Sequence, residues 1–203
     1  EVYRDTLKKY EKISVREKSA EEELKKVVGR DDIITVVDPT LLVKRESWSK
    51  IEKRPKHFDE NKKYILKYFL GEISEEEQES ISKFALENNY EIIDILDEND
   101  NAYVSGPEEF LYLIDHSVLV CTDSFHSCVF SFIFDKPFTV FKRKGCSDYM
   151  YSRIENLLSL FSLKNREYTG KITIDSISHD YSKGYKVLEQ EQKKSGDFLC
   201  LKE

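Results

Sequence analysis

The sequence predicts an α/β fold in which helices flank a mainly parallel sheet. Short apolar runs alternate along the chain with amphipathic segments that begin at helix-capping residues, which is the pattern of βα units. The run at residues 117–121 is apolar enough for a central strand that is covered on both faces. The chain has 203 residues, enough for one domain, or two small ones, with a well-formed core.

Six short runs are predicted to be strands. Most are rich in β-branched and aromatic residues and are bounded by polar or turn-forming residues. Asp38-Pro39-Thr40 ends the second strand because proline has no N–H for the sheet ladder. In chain order the predicted strands are residues 13–16, 33–37, 64–70, 91–96, 117–121 and 138–141.

Capping and stop residues predict the helices between these strands. Ser19 and Glu22 form a capping-box pair that begins a helix ending at Gly29. Ser74 begins a helix whose first turn carries three glutamates, and Ser105-Gly106-Pro107-Glu108 is a further capping-box start. The predicted helices are about residues 3–11, 19–28, 74–85, 107–114, 125–134 and 151–163. Residues 43–62 are predicted to be irregular. We therefore expect a domain over residues 1–165 and a polar, partly helical tail over 166–203.

Glycine content, charge and hydropathy exclude several classes of protein. The closest two of the 7 glycines, Gly184 and Gly196, are twelve positions apart, which excludes a GxGxxG motif and a Walker A loop. The net charge of -7 argues against a nucleic-acid partner, although a local basic pocket for a small anion is compatible with it. No apolar run approaches the length of a membrane span, and no signal peptide pattern opens the chain.

Cysteine and histidine spacing predicts neither a disulfide framework nor a metal site. The four cysteines include no CxxC pair, and Cys121 and Cys128 lie in apolar stretches, so we expect reduced thiols and a cytoplasmic protein. The histidines form no HxH or HxxxH pair, so a zinc site is not expected. No cofactor is predicted.

Polar residues follow the predicted strands, at the edge where ligands bind in open α/β sheets and where helix N-termini can hold an anion. His126 lies in the first turn of a helix after a buried strand, where it could exchange a proton with a bound anion or simply bond a neighbouring strand end. Arg16 could grip a carboxylate or phosphate, or pair with Glu17 or a neighbouring loop. The other candidate anion-binding residues are Ser105, Gly106, Thr122, Ser124, Ser127, Lys142 and Arg143.

Several of these segments together resemble the C-terminal half of polysaccharide pyruvyl transferases, over about residues 10–165. The segments are Ser14-Val15-Arg16-Glu17-Lys18-Ser19, Asp38-Pro39-Thr40, Gly106-Pro107-Glu108-Glu109-Phe110, Asp123-Ser124-Phe125-His126-Ser127 and Lys136-Pro137-Phe138. The resemblance implies the second, Rossmann-like domain of a glycosyltransferase-B-like architecture, so an N-terminal domain of the same protein is an expected partner. The chain begins at Glu1 rather than methionine, which agrees with this expectation.

The resemblance also implies the reaction. The family transfers a pyruvyl unit from phosphoenolpyruvate to sugar hydroxyls as a ketal, in making exopolysaccharides or cell-wall polymers. Its histidine falls on His126 and its Ser-Val-Arg arginine falls on Arg16. Many members have an arginine two residues before that histidine, where this chain has Ser124.

Three alternatives stay open at the level of sequence. A nucleotide-sugar glycosyltransferase would share the architecture and bind its donor at the same edge. A non-catalytic sugar-binding or partner-binding module would have the fold without the chemistry. The chain alone could also be inactive without the other domain.

Overall fold

The computed structural model of the protein describes residues 2–56, 58–144 and 148–200. His57 and Cys146 lie outside these residues. The helices are α1 Val2–Leu7, α2 Lys18–Val28, α3 Arg45–Ser49, α4 Glu75–Glu87, α5 Pro107–Asp115, α6 Phe125–Ile133, α7 Asp148–Leu160, α8 Ile174–Ile177 and α9 Ser182–Leu199. The strands are β1 Ser14–Val15, β2 Ile34–Thr35, β3 Tyr64–Tyr68, β4 Glu91–Asp94, β5 Leu119–Thr122 and β6 Phe138–Val140.

The prediction of an α/β fold with parallel strands is confirmed, and the fold is Rossmann-like. All six predicted strands are present, and every pair of neighbouring strands is parallel. Among the described residues the strands form two sheets rather than one: β1 pairs with β2, and the other four have the order β4-β3-β5-β6. The chain also divides into two compact units, one of residues 1–42 and 186–203 and a larger one of residues 43–185.

In the smaller unit, α2 packs beside the two short strands. Ile13, Val28 and Ile33 form its buried core. The predicted capping box of Ser19 and Glu22 is wrong, because α2 begins one residue earlier with Glu17 as its N-cap. Glu21 explains the difference: its buried carboxylate accepts a hydrogen bond from the Thr35 hydroxyl at 2.6 Å, which turns this face of the helix inward. The predicted end at Gly29 is confirmed, since Gly29 has the left-handed φ of 72° that glycine tolerates.

In the larger unit, helices cover both faces of the four-stranded sheet. α4 packs on the face that includes Ile65, Leu119 and Cys121. α5 packs on the other face, where the Tyr64 hydroxyl donates to the Leu113 carbonyl at 2.8 Å. The Phe110 and Phe130 rings meet edge to face, 6.4 Å apart, which joins α6 to α5 on that face.

Residues 43–62 have more helix than the sequence pattern indicates, whereas the tail was expected to be partly helical. The predicted irregular stretch at 43–62 contains the short helix α3. The polar tail ends in the 18-residue helix α9. The predicted cap of α4 at Ser74 is confirmed, and it is one half of a capping box: Ser74 N donates to Glu77 Oε2 at 2.6 Å, and Glu77 N donates to Ser74 Oγ at 3.3 Å.

Candidate functional site

The strand order places a topological switch point at the carboxyl ends of β3 and β5. These strands are neighbours, yet β3 leads into α4 on one face of the sheet and β5 leads into α6 on the other. Open α/β sheets bind ligands at such a point, where the connections from two neighbouring strands lie on opposite faces of the sheet. The segment after β5 carries the predicted residues Thr122, Ser124, His126 and Ser127.

Asp123 lies directly after β5 and binds groups from the exits of two other strands. Its carboxylate accepts hydrogen bonds from Leu70 N at 2.7 Å and Gly71 N at 2.9 Å, which follow β3. It also accepts one from Arg143 Nε at 2.7 Å, which follows β6. Asp123 is 4% exposed. It was not among the predicted site residues, although a carboxylate directly after a buried strand was a visible signal.

Arg143 was predicted to bind an anion, and its guanidinium is bound to Asp123. Besides the Nε contact, Arg143 Nη2 donates to the Asp123 carbonyl at 3.3 Å. The side chain passes so close to Gly71 that a Cβ there would lie 2.5 Å from Arg143 Cγ. Only glycine, which has no side chain, allows this close approach of the β3 and β6 exits.

His126 is exposed in the first turn of α6. Its ring lies edge to face with Phe125, with 5.3 Å between the centroids, and the Arg153 guanidinium stacks on Phe125 at 4.3 Å. Within the described part of the chain, its imidazole has no hydrogen-bond partner, so the alternative of a strand-end hydrogen bond is not observed. The ring is therefore accessible to a ligand.

The first-turn amides of α6 are also candidates for holding an anion. Ser124 is the N-cap, but its side chain makes no capping hydrogen bond. The first amides of a helix have no acceptor within the helix and lie at the positive end of its dipole, which favours bound anions. The helix start thus combines amide donors with an exposed imidazole.

Thr122 and Ser127 are enclosed by protein, each with 0% exposure. The Thr122 hydroxyl donates to the Tyr68 carbonyl at 2.6 Å and accepts from Ser124 N at 3.0 Å, so it holds the segment between β5 and α6 in place. Ser127 Oγ has no hydrogen-bond partner among the described residues. Substrate contact by these two hydroxyls stays a prediction.

The basic residues after β6 are arranged differently from one another. Lys142 is exposed, with its ammonium 5.6 Å from the centre of the Tyr151 ring. Lys144 forms an ion pair with Glu77 near the start of α4, at 3.7 Å. Lys142 is thus better placed than Lys144 to meet a ligand from solvent.

Ser105 and Gly106 precede α5, whose N-terminus faces the same edge of the sheet because α5 follows β4 and leads into β5. Gly106 is the N-cap, and its amide donates to Glu109 Oε2 at 3.1 Å. Ser105 Oγ is buried with no hydrogen-bond partner in the described ranges. No hydrogen bond between described residues joins this segment to the start of α6.

Arg16 lies in the smaller unit and joins the exits of β1 and β2. Its Nη1 binds the buried Asp38 at 2.6 Å, which is the neighbouring-loop pairing considered from the sequence. Burial raises the pKa of Asp38, but hydrogen bonds from Thr40 and Arg16 outweigh this, so the net pKa is below its ordinary value. About half of the Arg16 side chain is exposed (49%), which leaves room for a ligand.

One cluster in the described ranges has atoms close enough for a cation. Glu52, Asp115 and His116 lie within 4.8 Å of one another, but Asp115 already binds Arg45 at 3.1 Å and lies 3.9 Å from Lys136. These positive charges oppose a metal ion. The cluster is also at the other edge of the sheet, since His116 precedes β5 and His126 follows it. Cys121 and Cys128 are free thiols whose pKa values are raised by burial, so neither is a reactive nucleophile.

Fold and site together define a Rossmann-like α/β protein with its polar residues at the carboxyl ends of parallel strands. The chain belongs to the polysaccharide pyruvyl transferase family, because the model of that family matches residues 1–145. The match includes Arg16, His126 and Arg143, and it confirms the family that the sequence motifs indicate. No curated protein and no solved structure matches the chain.

Membership of this family makes the protein a transferase of polysaccharide biosynthesis. None of the helices in the described ranges is both long enough and apolar enough to cross a membrane.

Proposed function

We propose that the protein transfers the pyruvyl unit of phosphoenolpyruvate to two hydroxyls of a saccharide, as a cyclic ketal. The observation that carries the proposal is the exposed imidazole of His126 beside the first amides of α6, directly after the buried strand β5, in a member of this family. An acid next to an anion-binding helix start is what a phosphorylated enol requires. A cytoplasmic location and a preceding domain in a glycosyltransferase-B-like enzyme stay predictions.

The donor carries a phosphate and a carboxylate, and the residues around α6 provide groups for both. The first-turn amides of α6 bind one anionic group, in place of the arginine that many members have at the position of Ser124, which is itself only 5% exposed. Lys142 provides a positive charge that faces solvent. The Arg143 guanidinium, which is held by Asp123, adds positive charge near the same anion. The assignment of Arg16 to the donor rests on the resemblance alone.

The reaction begins with proton transfer from the His126 imidazolium to the methylene carbon of phosphoenolpyruvate. That carbon becomes a methyl group, and C2 gains oxocarbenium character. One saccharide hydroxyl attacks C2 and loses its proton, phosphate leaves, and a second hydroxyl attacks C2 and loses its proton to close the ketal. The net products are the pyruvyl ketal and inorganic phosphate.

The test replaces His126 by alanine in the intact protein. Positioned acid catalysis contributes about 10²–10⁴-fold to a rate, so we expect turnover to fall at least about tenfold in pyruvylation assays that follow phosphate release. His116→Ala is the matched control, because His116 is also an exposed histidine but lies at the other edge of the sheet. Near-normal pyruvylation by His126→Ala would remove this residue from the mechanism.

Titration calorimetry separates the proposal from a nucleotide-sugar glycosyltransferase. We expect heat from binding of phosphoenolpyruvate and none from UDP-sugars or GDP-sugars. The reverse result would favour the glycosyltransferase, and no binding of either donor would favour a non-catalytic module.

A further inference from the structure

We propose that Asp123 is a positioning residue for the transfer reaction, and this inference rests on the proposed role of His126. The Asp123 carboxylate joins the exits of β3 and β6 to the segment that leads from β5 into α6. These contacts fix the position of the start of α6, and therefore of the His126 imidazole, relative to the donor. Asp123 itself is too enclosed to bind substrate directly, with 2% of its side chain exposed.

Segments that are far apart in the chain meet at the Asp123 carboxylate. Leu70 N binds Oδ1, while Gly71 N and Arg143 Nε bind Oδ2. These partners are separated from Asp123 by 53, 52 and 20 positions in the chain. A single side chain therefore ties the exits of β3 and β6 to its own segment, beyond the end of the strand pairing itself.

The position of Asp123 in the chain connects its contacts to the start of α6. It lies between Thr122, the last residue of β5, and Ser124, the N-cap of α6, and His126 follows three residues later. The Thr122 hydroxyl is bonded to the Tyr68 carbonyl, so the segment is also fixed on its strand side. With its carboxylate and the Thr122 hydroxyl both held, the helix start has little freedom to shift.

The negative charge of the Asp123 carboxylate also suits its three partners. A carboxylate has only acceptors, which suits two amide donors and a guanidinium. The amide group of asparagine has one acceptor oxygen and an NH₂ group that would face these donors. Asp123→Asn thus keeps the size of the side chain but loses at least one of the three contacts and the negative charge that holds Arg143.

The structure offers a matched control in Asp100. Its carboxylate also accepts two backbone hydrogen bonds, from Asp94 N at 2.9 Å at the end of β4 and from Ala102 N at 2.9 Å beyond it. These two hydrogen bonds join the last residue of β4 and the segment that follows it, and neither involves α6. Asp100→Asn therefore removes similar hydrogen bonds at the same edge without disturbing the proposed acid.

The experiment measures pyruvyl transfer and amide hydrogen exchange in the intact protein, for wild type, Asp123→Asn and Asp100→Asn. A displacement of about 1 Å can lower a rate by about 100-fold, so we expect kcat of Asp123→Asn to fall about 10-fold to 100-fold. The acceptor KM should stay within about twofold of wild type, since the acceptor is not bound by this carboxylate. Asp100→Asn should retain the wild-type kcat.

Hydrogen exchange tests the inference independently of the chemistry. In Asp123→Asn, the Cys128 amide, which bonds Ser124 O across the first turn of α6, should exchange at least about tenfold faster than in Asp100→Asn. Unchanged exchange at Cys128, or an equal loss of kcat in both variants, would overturn the positioning role. If wild type transfers no pyruvyl group, the proposed function fails, whereas the exchange result still decides whether Asp123 holds the helix start.

Discussion

Glu21 shows at the scale of one residue how a charged side chain can be part of a small core. Its carboxylate accepts hydrogen bonds from Lys18 at 2.8 Å, Lys25 at 2.9 Å and Thr35 at 2.6 Å. Hydrogen bonds from Lys18, Thr35 and Lys25 lower the pKa of Glu21 from its ordinary 4.5 to about 2, although burial opposes the shift. The carboxylate thus links α2 to β2 in its charged form.

The lowered pKa predicts how Glu21 changes stability with pH. A carboxyl whose pKa is lower in the folded state stabilises that state fully above its unfolded pKa, and this stabilisation is lost as pH falls through about 4.5 towards about 2. Glu21→Gln should therefore be less stable than wild type at pH 7, by on the order of 1 kcal/mol. Its stability should fall less steeply between pH 4.5 and pH 2.5.

Urea unfolding at a series of pH values measures this difference. Glu22→Gln is the control, because Glu22 is the exposed neighbour of Glu21 on the same helix and should leave the curve nearly unchanged. Parallel pH curves for wild type and Glu21→Gln would show that the Glu21 carboxylate has the same pKa in the folded and unfolded chain.

Single residues also show what the sequence could and could not predict about the site. His126 and Arg16 were found because short motifs around them resemble a family, and the local order of strand, cap and helix places each at a strand exit. The role of Asp123 depends on Leu70, Gly71 and Arg143, whose closeness results from strand order. One sequence contains no signal for contacts between segments so far apart, so the motif that contains Asp123 does not indicate its role.

Among the elements, strong local signals gave the reliable predictions. α4 has its capping box and α2 ends at its left-handed glycine, since both features depend on residues within one turn. The start of α2 was misplaced because Glu21 is drawn inward by Thr35 of another element. α9 was expected only as part of a partly helical tail, without bounds, because the residues it buries include Gly184 and Ser195 rather than only a stripe of large apolar side chains.

The two glycines of α9 lead to opposite predictions. A Cβ on Gly184 would lie 2.8 Å from the Phe161 carbonyl oxygen and 3.0 Å from Phe132 Cε2, so Gly184→Ala should destabilise the protein by about 1–3 kcal/mol. A Cβ on Gly196 would meet nothing within 4 Å, so Gly196→Ala should stabilise it by about 0.5–1 kcal/mol through helix propensity. Thermal unfolding of both variants compares them directly. A stable Gly184→Ala protein would mean that the start of α9 does not pack against Phe132 and Phe161.

At the scale of the whole molecule, the sequence predicted the class of fold but not the grouping of its strands. The local pattern of β1 and β2 is like that of the other strands, so a single sheet was the simplest expectation. Which strands pair depends on contacts across the chain, and among the described residues β1 and β2 pair only with each other. The smaller unit also includes residues 186–203, although the tail was expected to stand apart from residues 1–165. That division at residue 165 stays a prediction.

The smaller unit includes residues from the C-terminal part of the chain, so we predict that its stability depends on them. Val37 N donates to the buried Ser195 Oγ at 3.1 Å, and Gln192 Nε2 donates to the Leu41 carbonyl at 2.6 Å. A chain that ends at Tyr185 would lose both contacts and the helix that makes them, and the strands β1 and β2 have only two paired residues each. Hydrogen exchange should then show protection lost over residues 2–42 and retained in β3 and β5, whose side chains are mostly buried within the larger unit.

The double variant Gln192→Ala with Ser195→Ala should give an intermediate loss over residues 2–42. Full protection of residues 2–42 in the shortened chain would show instead that these residues fold without α9.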